Sequence, residues 1–351
     1  VILCLIWGFY LVWRDGPGVV GILWSLYWWS KTISDHLWRV GHIEREFNWY
    51  MPTVRNLMQA MQIVPDVMER TDAIELGQNI PISITFEGVS HAYNNGSSDS
   101  PDGATKGEHT LRNVSFSINI GERVALIGPS GVGKTTIMRL LLRYNDPDHG
   151  RILINGHDLR DLRLASFMRN IGYIPQSPQV LDGTIRYNLW YSLTPKERES
   201  MSDDDLWELM RLLQIDFGSR LTDGLETLVG RNGVRLSGGQ AQRLMIGAAA
   251  IKRPSLMIID EATSSLDSTT EKAVQRGLEH IMQGDVGALI IAHRLSTVRN
   301  LCNKFIILKS ATDIGVDESQ VEAIGSSFEE LYDISPTFRR LADDQDLVIT
   351  M

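Results

Sequence analysis

The chain has 351 residues, room for one large domain and a smaller segment, and its 43% hydrophobic and 22% charged residues are an ordinary globular balance. A formal net charge of −9 argues against a nucleic-acid partner, which is gripped through its phosphates by a basic face. The two cysteines, Cys4 and Cys302, stand far apart without metal-ligand spacing and suit free thiols in a reducing compartment.

The beginning of the chain departs from that average. Seven of the nine tryptophans (Trp7, Trp13, Trp24, Trp28, Trp29, Trp38, Trp49) fall in the first 49 residues. The first residue is Val1, inside an apolar run with no basic segment before it, so the sequence reads as a fragment whose upstream part is missing. Val1 to Trp13 carries no charge, Arg14 to Gly18 reads as a tight turn, and Val19 to Ser30 is a second uncharged run. A membrane helix needs roughly 20 apolar residues, so the first run reads as the end of one and the second, from about Pro17 to Ser34, as a marginal span. The aromatic residues suit a membrane interface; the alternative is a pair of buried helices. Trp24, Trp28, Lys31, Asp35 and Trp38 share one helical face, where Lys31 and Asp35 are spaced to pair. Interfacial anchoring and packing explain this face better than a substrate pathway.

From Lys31 to Glu75 the pattern is amphipathic, a helix leaving the membrane with Met51-Pro52 as a kink. This sets the domain division at residues 1–75 and 80–345. Ile82 to Phe86 alternates like a strand, and the Gly/Ser/Asp/Asn-rich stretch Asn94 to Thr110 reads as a mobile surface loop. Further strands are expected at Leu111–Ile120, Arg123–Gly128, Ile152–Ile154, Ile171–Ile174, Leu256–Asp260, Ala288–Ala292 and Phe305–Leu308, with a helix from about Gly133 to Tyr144. Short apolar strands separated by helices predict an α/β domain with a mainly parallel sheet covered on both faces.

The strongest motif is Gly128-Pro129-Ser130-Gly131-Val132-Gly133-Lys134-Thr135, followed by Thr136. It follows an apolar strand and opens a helix, the setting of a phosphate-binding loop. Glycines let backbone N–H groups wrap an anion, and the helix start adds partial positive charge. Lys134 would meet the β- and γ-phosphates and Thr135 a magnesium ion. Leu256 to Asp260 is an apolar strand that ends on a carboxylate suited to the metal, and Glu261 next to it is placed to polarise an attacking water. Leu236-Ser237-Gly238-Gly239-Gln240 makes a second anion-binding helix start.

Over residues 80 to about 345 the sequence resembles the ATP-binding cassette family. The order matches as well as the pieces: the phosphate loop, Tyr173-Ile174-Pro175-Gln176, Leu236 to Gln240, Asp260-Glu261, Ser264 to Asp267 and Ile291 to Ser296. Thr227 to Gly233 resembles the exporter branch. The resemblance implies a P-loop NTPase domain with an antiparallel β subdomain and a helical subdomain, preceded by transmembrane helices. It implies that Tyr93 stacks on adenine, that Gln176 touches Mg²⁺ and the attacking water, that His293 contacts the γ-phosphate and that Asp267 couples two sites. In the family two such domains pair head to tail, so Ser237 and Gly239 would serve the partner's ATP. The expected cofactors are ATP and Mg²⁺; the expected partners are a second half-transporter, membrane lipid and a transported substrate. The expected protein is multi-pass, with Asp66 onward in the cytosol and Arg14 to Gly18 outside. Competing readings are a soluble family member acting on ribosomes or DNA, and a regulatory subunit that binds ATP without hydrolysis. Two departures stand out: the long loop from Asn94 to Thr110, and Ala248 where the family commonly has arginine. The stretch Ser310 to Ser319 is also looser than the family's usual turn.

Overall fold

The computed structural model describes residues 2–62, 65, 67–93, 110–215, 218, 222–231, 233–261, 268–291, 294–311, 314–315 and 318–347, with side chains from Ile6 onward except at 268–270 and 273. Contacts divide the chain into two units, Val1–Pro65 and Asp66–Met351.

The first unit is helical. Helix α1 spans Ile2–Asp15 and α2 spans Val20–Met61. They pack closely at Gly8, where an added Cβ would lie 3.0 Å from Leu23 Cδ2. The long second helix carries both the apolar run and the amphipathic stretch that follows it, and it continues through Pro52 to Met61. Its tryptophans are exposed, Trp24 and Trp38 by 68% each, so burial gives no support to a pair of core helices. Among the described residues no helix is long and apolar enough to cross a membrane. Lys31 and Asp35, spaced so that they could pair, are not joined by a salt bridge; ordering two exposed, solvated side chains gains little.

The second unit is built on a sheet of six strands in the order β12-β11-β3-β10-β9-β6. In chain order the unit runs β1 (Ile84–His91), β2 (Leu111–Ile118), β3 (Arg123–Ile127), α3 (Lys134–Leu141), β4 (His149–Ile154), β5 (His157–Asp158), α4 (Leu164–Arg169) and β6 (Ile171–Ile174). It continues with β7 (Gly183–Thr184), α5 (Ile185–Trp190), α6 (Pro195–Glu199), α7 (Asp203–Leu212), β8 (Leu228–Val229), α8 (Gly238–Ala250), β9 (Leu256–Asp260) and α9 (Ser268–Ile281). The last elements are β10 (Gly287–Ile291), α10 (Leu295–Leu301), β11 (Lys304–Leu308), β12 (Val321–Gly325), α11 (Phe328–Ile334) and α12 (Pro336–Asp344).

Strands β11, β3, β10, β9 and β6 are parallel, and only β12 runs antiparallel at the edge. Their sequences are continuous apolar runs because both faces are buried. Val124, Leu126, Ile258, Leu289 and Ile306 point into one core, and Ala125, Ile127, Met257, Ile259, Ile290 and Ile307 into the other. The first core is shared with the antiparallel sheet β2-β1-β4-β5, the second with helices α5, α7, α8 and α9. The fold is thus α/β, with a mainly parallel sheet, an antiparallel β subdomain and a helical subdomain, preceded in the chain by an α-helical segment.

Two expectations are refined. Strand β1 runs to His91 rather than ending at Phe86, since a shift of register on either side of Val89 lets it continue past Gly88. Strand β12 follows the loose Ser310–Ser319 stretch and was not anticipated, its half-exposed edge pairing only with β11.

Candidate functional site

In an open parallel sheet, ligands bind beyond the carboxyl ends of the strands. That rule collects the predicted residues here. The phosphate loop leaves β3, Asp260 ends β9, Glu261 follows it, and Gln176 lies two residues beyond β6. Because β3, β10, β9 and β6 are consecutive neighbours, these segments form a row along one edge. His293 follows β10 by two residues in sequence and lies outside the described residues, as do Asp267, Ser264 to Leu266 and the segment 94–109.

The loop is shaped by its glycines. Gly133 caps α3 at φ 98°, and a Cβ there would stand 2.5 Å from Leu111 Cδ2 and 3.0 Å from the Thr110 carbonyl oxygen. Gly128 is confined too, with the Leu308 carbonyl oxygen 2.7 Å from where a Cβ would sit. Pro129 closes the turn through its carbonyl, which accepts from the Val132 N–H at 3.4 Å. Ser130 and Gly131 are exposed at the tip, and Thr135 is exposed on the first turn of α3.

Lys134 is 6% exposed, and its ammonium donates to the carbonyls of Gly128 at 2.6 Å and Pro129 at 3.0 Å. Burial lowers its pKa below 10.5, opposed by the negative charges of Glu261 and Asp260. That mutual influence shows the cation and the two carboxylates sharing one neighbourhood. Gln176 Nε2 donates to Glu261 Oε2 at 2.8 Å. Glu261 has φ 50°, a left-handed backbone rare for such a residue, held by its N–H donating to the Ile291 carbonyl at 2.9 Å. Asp260 is 7% exposed at the end of a strand buried throughout. Tyr93 is half-buried, edge-on to His91, and its hydroxyl lies 3.4 Å from Thr136 Oγ1 on α3.

The second helix start is a capping box. Ser237 Oγ accepts from the Gln240 N–H at 3.3 Å, and Gln240 Oε1 accepts from the Ser237 N–H at 3.0 Å. Ser237 and Gly238 are exposed, Gly239 half-buried. Just upstream, β8 within the exporter-like segment pairs antiparallel with β7, which follows Gln176 in the chain. Asp182 accepts from the Arg231 N–H at the same junction. The Gln176 loop and the approach to Ser237 are therefore tied together. Ala248 is 3% exposed and lines, with Tyr173, Pro175, Gln179 and Lys252, a cleft of about 520 Å³ beside Gln176.

One residue of this region escaped sequence reading. Gln320, fully buried ahead of β12, donates through Nε2 to the Val132 carbonyl at 2.7 Å. Nothing in its local sequence distinguishes it, and its partner is 188 residues away.

Comparison with known proteins agrees with this geometry. The ABC transporter profile matches residues 111–264. Residues 111–264 form an ABC transporter domain. It is 38% identical over 256 residues to an ATP-dependent lipid A-core flippase of Syntrophus aciditrophicus, covering 73% of this chain and 39% of the relative. It is 32% identical over 310 residues to the mitochondrial iron-sulfur clusters transporter atm1 of Aspergillus fumigatus, covering 88% of this chain and 39% of that protein. Among solved structures, a bacterial Atm1-family ABC exporter with ATP bound superposes with a TM-score of 0.72 at 29% identity, over 99% of this chain and 56% of the exporter. The chain thus spans about two fifths of the length of these curated relatives.

Proposed function

We propose that this chain is the ATP-binding and ATP-hydrolysing end of an ABC exporter, coupling hydrolysis at a head-to-tail dimer of such domains to movement of a substrate across a membrane. The observation that carries the reading is the row at the carboxyl edge of the sheet. There Lys134 stands in its loop, electrostatically linked to Asp260 and Glu261, and Gln176 holds Glu261 at 2.8 Å.

The division of labour follows from the groups. Backbone N–H groups of residues 130–136 and the Lys134 ammonium bind phosphate oxygens. Glu261 accepts a proton from the attacking water, and its hydrogen bond from Gln176 fixes where its oxygens lie. Tyr93 offers a ring to adenine next to α3, and His293 reaches the γ-phosphate. Ser237, Gly238, Gly239 and Gln240 present a helix start to the partner's nucleotide, and Asp267 links the two sites. Thr135, Asp260 and Gln176 offer a hydroxyl, a carboxylate and an amide oxygen, the hard donors that magnesium prefers. The Gln176 amide fits this role, because its nitrogen is spent on Glu261 and its oxygen remains an acceptor. When bound, the ion supplies charge neutralisation for the transferring phosphoryl group.

The exposed aromatic residues of the first unit suit lipid, and the net charge of −9 disfavours the ribosome- and DNA-directed alternative. The protein is accordingly a multi-pass membrane protein with this ATPase domain in the cytoplasm. The test is steady-state hydrolysis by the full-length protein in proteoliposomes. Glu261→Gln should lower turnover by about a hundredfold or more while ATP stays bound and holds a dimer. Hydrolysis indifferent to that substitution, or equally fast in a strict monomer, would sink the reading.

A further inference from the structure

We infer that Gln320 is a positioning residue of the phosphate loop: by holding the Val132 carbonyl, it aims the Gly133 N–H at the nucleotide. The inference rests on the nucleotide-site reading above.

The geometry is a four-way tie. Gln320 is 0% exposed, and each of its polar groups has a partner. Its Nε2 donates to the Val132 carbonyl at 2.7 Å, and its Oε1 accepts from the Arg112 N–H at 3.0 Å. Its backbone N–H donates to the Arg112 carbonyl at 3.2 Å, and its carbonyl accepts from the Lys309 N–H at 3.1 Å. A carbonyl can only accept and a peptide N–H can only donate, so a single orientation of the amide satisfies both side-chain bonds. Gln320 therefore joins the start of β2 and the end of β11 to the middle of the loop.

The effect on the loop follows from peptide geometry. The described peptides are all trans, and in a trans peptide the C=O and the next N–H point in opposite directions. A Val132 carbonyl turned to Gln320 sends the Gly133 N–H to the opposite side, away from the β2 and β11 termini. Gly133 has no Cβ and φ 98°, so side-chain sterics do little to hold this peptide plane. Val132 is 3% exposed, and its carbonyl lacks water as a substitute partner. Without the amide, the plane is free to rotate and the anion loses a pre-aimed donor.

The experiment compares full-length parent, Gln320→Met, Lys134→Ala and Glu322→Gln. Glu322 lies two residues away but ties β12 to α12, accepting from Ser335 Oγ at 2.5 Å and Thr337 N–H at 3.0 Å. It reports on structural loosening of the same strand. Gln320→Met should weaken Mg-ATP binding by about tenfold and raise KM alike, with kcat at saturation within about twofold of the parent. Glu322→Gln should lower Tm and leave Kd unchanged. A folded Gln320→Met protein with parental Kd, or with kcat lost and Kd retained, overturns the inference. A parent that binds ATP only through Lys134 upholds the site reading in either case; a parent that binds none overturns both. Should Gln320→Met not fold, hydrogen–deuterium exchange on the parent decides. Slow exchange of the Arg112 N–H, which Gln320 Oε1 holds, before nucleotide is added supports the clamp, and fast exchange there refutes it.

Discussion

Gln176 and Glu261 lie 85 residues apart in sequence and share a hydrogen bond of 2.8 Å, joining the strand-end loops of the neighbours β6 and β9. The bond makes Glu261 a carboxylate whose orientation depends on a loop that also feeds β7. Gln176→Glu exchanges that donor for a second negative charge. Turnover should fall by about a hundredfold while the Kd for ATP changes much less, read from steady-state rates and equilibrium binding on one preparation.

Lys134 gives a pH-dependent signature. Burial lowers its pKa below 10.5, so the folded protein gives up this proton before the unfolded chain does. Its contribution to stability therefore rises as pH climbs through the folded value toward 10.5. A bound polyphosphate raises the same pKa. Between the free and bound values binding takes up a proton, and affinity falls with rising pH. Titration calorimetry in buffers of different ionisation enthalpy should show uptake by Lys134 in that alkaline window, growing as pH rises from neutral, where the lysine is protonated both free and bound.

Gly133→Ala should abolish nucleotide binding without unfolding the domain. The new methyl would meet Leu111 Cδ2 at 2.5 Å and the Thr110 carbonyl oxygen at 3.0 Å, at a backbone angle alanine avoids. Leu111 has some freedom to shift, and the carbonyl has little. The strain is local, about 1–3 kcal/mol. Circular dichroism and binding measured together check it; parental affinity would refute it.

Cys302 should be unreactive in the native protein. Burial pushes its thiol up to about 12, with Arg123 opposing weakly, so the nucleophilic thiolate is scarce at neutral pH. Iodoacetamide followed by peptide mapping should leave Cys302 unmodified until denaturant is added. Rapid native labelling at that peptide would contradict the buried placement.

Much of this fold was legible in advance for a physical reason. Strands buried on both faces read as uninterrupted apolar runs, and β3, β9 and β11 begin or end within a residue of where those runs do. The phosphate loop was legible because its glycines, lysine and helix start are contiguous. Edge strand β12 was not, since Val-Glu-Ala-Ile-Gly with one face toward solvent has no distinctive pattern. Gln320 was not either: a glutamine becomes a loop clamp only through a partner far away in sequence. Spacing allowed a Lys31–Asp35 pair without deciding it, since adjacency on a helix is permissive and solvent decides.

The capping box at Ser237 has a consequence for how that residue is probed. A hydroxyl has two lone pairs and one proton, and accepting from the Gln240 N–H engages only a lone pair. The proton stays available to an anion arriving from outside, so a single oxygen can begin a helix and greet a foreign phosphate together. Alanine at 237 would remove both duties and blur them. Asparagine and aspartate both preserve the cap, but aspartate has no proton to offer, and the contrast between those two reads the encounter alone.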